Sequence, residues 1–113
     1  MHELSLCEGI LDVLQQQAQQ QNFSRIKTVW LEIGKLSSVE PNALRFGFDV
    51  VMKGTLAESA ELEIIEVDGQ AWCFKCLQNV KIAHRYDGCP LCGAYQLQVN
   101  DGDQMRIKEL DVF

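Results

Sequence analysis

The sequence predicts an α+β fold: a small mixed-sheet domain with two helices, interrupted by a four-cysteine insertion. Three observations carry this. An apolar stripe at three- and four-residue spacing opens the chain, period-two stretches follow and close it, and four of the five cysteines are bunched between positions 73 and 92. At 113 residues the chain can bury one small core and carry one stapled satellite, and little more.

The first helix is expected over residues 4 to about 20, where Leu4, Cys7, Leu11, Leu14 and Ala18 repeat at helical spacing with Ile10 beside them. Cys7 falls within that stripe and is expected to be a small buried apolar contact. The glutamine-rich run at 15–21 reads as the solvated face of the same helix. Period two takes over at residues 26–33, with Val29, Leu31 and Ile33 facing one way and Thr28, Trp30 and Glu32 the other, and Gly34 ends this strand. A second helix should run from Pro41 to about Lys53. Proline suits a first helical position, Glu40 stands at the amino-terminal end, and Gly54 supplies a stop. Its stripe is Leu44, Phe48 and Val51, widened by Phe46 and Val50. Two more strands are expected at 61–67 and 104–112. The cysteine module lies between them, bounded by Asp68-Gly69 and Asn100-Asp101-Gly102, whose Asp-Gly steps are turns able to act as hinges. The predicted domains are therefore 1–68 with 101–113, and 69–100.

The cysteines fall as Cys73-x2-Cys76-x12-Cys89-x2-Cys92. Four thiolates can surround one tetrahedral ion, and zinc is the default because it is redox-inert and satisfied by a closed all-thiolate shell. Such a zinc-ribbon-like site has no vacant position, so it should hold structure together and should not catalyse. Pro90 fixes a turn dihedral, and Gly93 permits the left-handed backbone that lets amides turn toward the sulfurs. Two disulfides, or an iron-bearing rubredoxin-like centre, are the alternatives. The spacing also allows a mini-domain with almost no apolar core of its own.

The net charge of −6 is uneven: residues 70–95 hold Lys75, Lys81 and Arg85 against Asp87, about +2, which leaves the remainder near −8. That balance argues against a nucleic-acid partner, which requires a continuous basic footprint. No apolar run is long enough to cross a bilayer, and the opening residues lack a leader pattern, so no membrane insertion is expected and the protein should be soluble and cytoplasmic. Reducing surroundings also suit four free thiolates. No Gly-rich loop ends in Lys-Ser or Lys-Thr, so phosphate cradling is not expected, and nothing marks the chain as an enzyme.

The start, Met1-His2-Glu3, gathers three nitrogens: the terminal amine, the His2 backbone nitrogen and its imidazole. With the amide deprotonated they can chelate a metal in fused planar rings, which suits divalent nickel or copper. An ordinary terminal or helix-start histidine is the alternative.

Met1-His2-Glu3-Leu4-Ser5-Leu6-Cys7, Val29-Trp30-Leu31-Glu32-Ile33-Gly34, Ser37-Ser38-Val39-Glu40-Pro41 and the paired cysteines together resemble the HypA/HybF family of hydrogenase maturation factors, and the likeness runs essentially end to end. The resemblance implies a small nickel metallochaperone with a mixed helix-and-sheet nickel domain and a zinc domain. It further implies work with a maturation GTPase to load nickel into the large-subunit precursor of nickel-iron hydrogenase, with urease maturation proteins as further partners in some members. Carried over by residue, His2 would be the principal nickel ligand together with backbone nitrogens. Glu3 would shape the site and the partner contact, Glu40 would stand near the nickel, and Cys73, Cys76, Cys89 and Cys92 would hold structural zinc. Nickel would then be transient cargo. Monomer and homodimer both remain open, and a zinc-ribbon interaction module is the competing function.

Overall fold

The computed structural model describes residues 2–113. Element order is α1 (His2–Gln21), β1 (Ile26–Gly34), α2 (Pro41–Val51), β2 (Glu61–Val67), β3 (Gly69–Cys73), β4 (Gln78–Ile82), β5 (Leu97–Asp101) and β6 (Met105–Val112). The two expected helices and the three expected strands of the first domain are all present. Helix α1 begins earlier than the apolar stripe requires, with Glu3 in its first turn, where a carboxylate favours the helix dipole. Helix α2 stops at Val51, and Gly54 turns the chain with a φ of 75°.

Two three-stranded sheets form, in the orders β2-β1-β6 and β4-β3-β5. The first is mixed. Phe113 N donates to Arg25 O and Gly34 N to Gln104 O, which sets β6 antiparallel to β1. Ile26 N donates to Leu56 O and Lys35 N to Val67 O, which sets β2 parallel to it, as the intervening α2 crossover demands. In the second sheet β3 pairs antiparallel with both β4 and β5, the latter with a register shift at Gln70/Ala71.

The chain forms two compact units. The first comprises residues through Leu31, Val39–Ile64 and Ile107–Phe113; the second comprises Glu32–Ser38 and Ile65–Arg106. In the first, Cys7, Ile10 and Leu14 of α1 and Leu44 and Phe48 of α2 are buried, as are Ile26, Val29 and Leu31 of β1. Gly47 lets the helices approach: a Cβ there would lie 3.3 Å from both Cys7 Sγ and Leu4 Cδ2. Phe46 and Val50, expected to widen the α2 stripe, are instead exposed. A short helix packed on one side buries a narrow stripe, and Leu44 and Phe48 fill it.

The second unit departs from its expectation of almost no apolar core. Leu36, Ala71, Val80 and Ile82 form a buried cluster with Cys73 and Cys89. The Asp-Gly steps, expected as hinges, are packed backbone. A Cβ on Gly69 would lie 2.5 Å from Leu36 Cγ, and one on Gly102 would lie 2.6 Å from Gly69 Cα and meet Asp68 O. Asp68 also bridges Lys35 and Lys81 at 2.8 and 3.0 Å, which holds its carboxyl below the usual carboxylate range through hydrogen bonds and charge.

Candidate metal centres

In the second unit both cysteine pairs sit on tight turns, the first immediately after β3. Cys76 N donates to Cys73 Sγ and Leu91 N to Cys89 Sγ, each at 3.4 Å, so amides do turn toward the sulfurs. Gly93 has the expected left-handed φ of 77°. The four Sγ atoms lie within 4.8 Å of one another, with Cys73 to Cys92 at 3.7 Å and Cys76 to Cys89 at 3.9 Å. A tetrahedron with zinc–sulfur arms of about 2.3 Å has edges of about 3.8 Å, so these separations fit the ion. They are far too long for disulfides, and all four cysteines are free.

The thiol chemistry also asks for a cation. Hydrogen bonding to Cys92, followed by burial, pushes the Cys76 thiol up to about 12. Burial pushes Cys89 upward too, but hydrogen bonds from the Leu91 and Cys92 amides and from neighbouring thiols outweigh it and bring that group to about 7. Four thiols so close cannot all ionise beside one another unless a positive ion balances them. The donor set is therefore that of a structural zinc site.

In the first unit, His2 and Glu3 open α1 and Glu40 caps α2. His2 is well exposed, and its Nδ1 lies 3.5 Å from Glu3 Oε2. The Glu3 carboxyl is held below the usual range first by its own amide and then by the Glu40 amide and His2, which together outweigh the opposing effect of burial. Glu3 and Glu40, far apart in sequence, are thus neighbours. The Glu40 side chain itself accepts from Ala43 N at 2.6 Å as the cap of α2. Met1, whose amine the sequence offers as a ligand, lies outside the described residues. Cys7 is sealed beneath this corner, with Sγ 3.5 Å from Leu44 O, and burial followed by the Glu3 charge raises its thiol to about 11. It is the expected apolar contact.

Sequence reasoning missed two residues around the thiolates. Leu36 closes the cluster's apolar core from a segment remote in sequence. Leu77 adopts a left-handed φ of 58° that its identity does not advertise; the only available signal was its place after a Cys-x2-Cys pair, where Gly93 stands in the other.

A helix-and-mixed-sheet unit joined in one chain to a four-thiolate knuckle unit defines a class of small metalloprotein stapled by zinc. The family model described as hydrogenase/urease nickel incorporation, metallochaperone, HypA matches residues 1–112. The hydrogenase maturation factor HypA of Rhodopseudomonas palustris is 54% identical over 112 residues, 99% of each chain. That of Azotobacter chroococcum is 55% identical over the same length and coverage. The solution structure of the Ni metallochaperone HypA from Helicobacter pylori superposes with a TM-score of 0.73, at 21% identity, over 98% of this chain and 97% of that one. The chain belongs to the HypA family, whose members are nickel metallochaperones of hydrogenase and urease maturation.

Among the described residues no helix is long and apolar enough to cross a membrane.

Proposed function

We propose that this chain binds Ni(II) at its amino terminus and, with a partner GTPase, passes it to the large-subunit precursor of a nickel-iron hydrogenase. The observation that carries the proposal is the corner where an exposed His2 meets Glu3, and Glu3 in turn meets the Glu40 amide. The amides of a first helical turn have no acceptor within the helix, so the His2 backbone nitrogen is open to a metal beside its imidazole. Nitrogen ligands suit divalent nickel in a planar arrangement. An exposed site of this kind exchanges its ion with an incoming ligand set. A closed thiolate shell does not.

The proposed division of labour gives nickel to residues 1–68 with 101–113 and zinc to 69–100. Cys73, Cys76, Cys89 and Cys92 hold the zinc, which supplies folding free energy to a module with a small core. Glu3 orients the imidazole, and Glu40 fixes the start of α2 against it. No step asks this chain for a nucleophile or general base, so it acts as a carrier and not as an enzyme, and GTP hydrolysis belongs to the partner. The free cysteines suit reducing surroundings, which supports work in the cytoplasm. Urease maturation proteins are further recipients that the family description brings into view.

The test is nickel titration of the zinc-loaded protein and of His2→Ala, followed by the d–d absorption band with circular dichroism alongside. The variant should stay folded and lose specific nickel binding. Unchanged affinity in the folded variant would remove His2 from the ligand set. A version extended ahead of Met1 tests the amine in the same way, and affinity that survives the extension excludes it.

A further inference from the structure

The chain holds three Asp-Gly steps: Asp68-Gly69, Asp87-Gly88 and Asp101-Gly102. Each is a reactive pair, because glycine has no Cβ to shield its amide nitrogen from the carboxyl carbon just ahead of it. Whether the pair reacts depends on where the carboxyl group is held, and the fold holds the three differently. Asp68 gives Oδ1 to Lys35 at 2.8 Å and Oδ2 to Lys81 at 3.0 Å. Asp87 Oδ2 accepts from the Ala83 and His84 amides at 3.1 and 3.0 Å, and its Oδ1 lies 3.6 Å from His84 Nδ1. Both carboxyls are thus engaged by groups other than the amide that follows them.

Asp101 is the opposite case. Gly102 N donates to Asp101 Oδ1 at 2.8 Å, so the nitrogen and the carboxyl carbon that would have to bond already lie side by side. Holding two reacting groups in contact replaces a chance encounter by a standing one and raises the rate. Asp101 is also exposed, which gives water access to the same group.

We propose that Asp101-Gly102 is a site of covalent self-modification, where the main chain isomerises through a succinimide to isoaspartate. Gly102 N bonds to Cγ of the protonated Asp101 carboxyl and releases its proton, and the bond from Cγ to the hydroxyl oxygen breaks, so one water leaves. One water then re-enters the ring. Added at Cγ, it breaks the new bond and restores aspartate. Added at the Asp101 main-chain carbonyl carbon, it breaks the old peptide bond instead and leaves the chain running through Cγ. The nitrogen regains its proton either way, and no electrons are transferred. Isoaspartate lengthens the main chain by one carbon at a point with little room: Gly102 O accepts from Leu36 N at 2.8 Å, and a Cβ on Gly102 would lie 2.6 Å from Gly69 Cα. The product is therefore a loosened, aged form of the second unit.

The test incubates zinc-loaded full-length protein at neutral pH for several weeks in heavy-oxygen water, so that every succinimide that opens keeps a heavy oxygen. Digestion and mass spectrometry locate the label, and enzymatic methylation of isoaspartate counts the isomer. A parallel sample is unfolded in guanidinium chloride with its zinc chelated. In the folded protein, label at Asp101 should exceed that at Asp68 and at Asp87 by about tenfold or more, well within what orientation supplies. In the unfolded chain the three should label alike. Asp101→Glu sets the carboxyl one carbon too far for the five-membered ring and should remove the label from its peptide. Label at Asp101 no greater than at the other two in the folded protein overturns the proposal. The same preference for Asp101 in the unfolded chain overturns it too, by taking the effect out of the fold. So does label that persists in Asp101→Glu, which would assign the chemistry to Asn100 or Asp103. Neither nickel nor a partner enters the reaction, so these outcomes stand apart from the function proposed above.

Discussion

Replacing Gly102 by alanine should be among the most damaging one-carbon changes available to this chain, and its cost can be built up from the structure. Gly102 is buried at a φ of 78°, and its carbonyl accepts from Leu36 N at 2.8 Å. Forcing an L residue into the left-handed region costs about 1–2 kcal/mol. The new Cβ would also lie 2.6 Å from Gly69 Cα and 2.7 Å from Asp68 C. Both distances fall short of an ordinary carbon–carbon contact of about 3.5 Å, and the atoms in the way are backbone, which cannot rotate aside. Overpacking of that kind costs about 1–3 kcal/mol, for a total of about 2–5 kcal/mol against a stability typically of about 5–15. Gly54→Ala is the internal control, because its φ is 75° and nothing lies within 4 Å of the added carbon. It pays the dihedral cost alone. Urea unfolding of both variants at saturating zinc, followed by circular dichroism and by the fluorescence of Trp30 and Trp72, measures the difference. Saturation matters because bound metal adds to apparent stability. A Gly102→Ala variant no less stable than Gly54→Ala would refute the contact argument.

Changing any one of Cys73, Cys76, Cys89 or Cys92 to serine should release zinc and disorder the second unit, while α1 and α2 keep their helical signal; one tightly bound zinc per variant by elemental analysis would contradict this. Cys7 should couple stability to alkaline pH. Burial raises its folded thiol to about 11, above the 9.0 ordinary for a free thiol, so its contribution is fully present below about 9 and is lost as pH rises toward 11. In Cys7→Ala that part of the decline should vanish from the unfolding free energy measured across the same range, with both metals retained. Glu40→Ala removes the 2.6 Å cap bond to Ala43 N and should cost about 0.5–1 kcal/mol in urea unfolding. If nickel affinity falls as well, Glu40 belongs to the metal site and is more than a cap.

The helices and the long strands were legible because their periods are carried by residues with one role. Val29, Leu31 and Ile33 alternate without ambiguity, and all are buried. Phe46 and Val50 misled because a helical period says which residues share a face but not how much of that face a neighbour will cover. Strands β3 to β5 escaped notice for a different reason. The buried apolar positions of β3 and β4 are Ala71, Cys73, Val80 and Ile82, two of them small or ligand-type residues whose apolar role is concealed by their chemistry, and β5 adds only the half-buried Leu97 and Val99. The thiolate site was legible from spacing alone, since a tetrahedral ion fixes how many residues each pair can enclose. The His2, Glu3 and Glu40 corner was not. The contact between Glu3 and the Glu40 amide depends on how α1 packs on α2 at Gly47, and no local pattern encodes that packing.

The burial of Cys7 makes the protein a thiol counter with distinct levels. A small alkylating reagent offered to the zinc-loaded fold should find nothing, because four sulfurs are committed to the ion and the fifth is sealed under Leu44 with its proton held tightly. Stripping the zinc should expose four reactive groups together, because the module that gathers them loses its order with the ion. The fifth should appear only when the helices part. Two steps in one colour reaction would then time the release of the metal and the opening of the helix pair separately, without a label added to either.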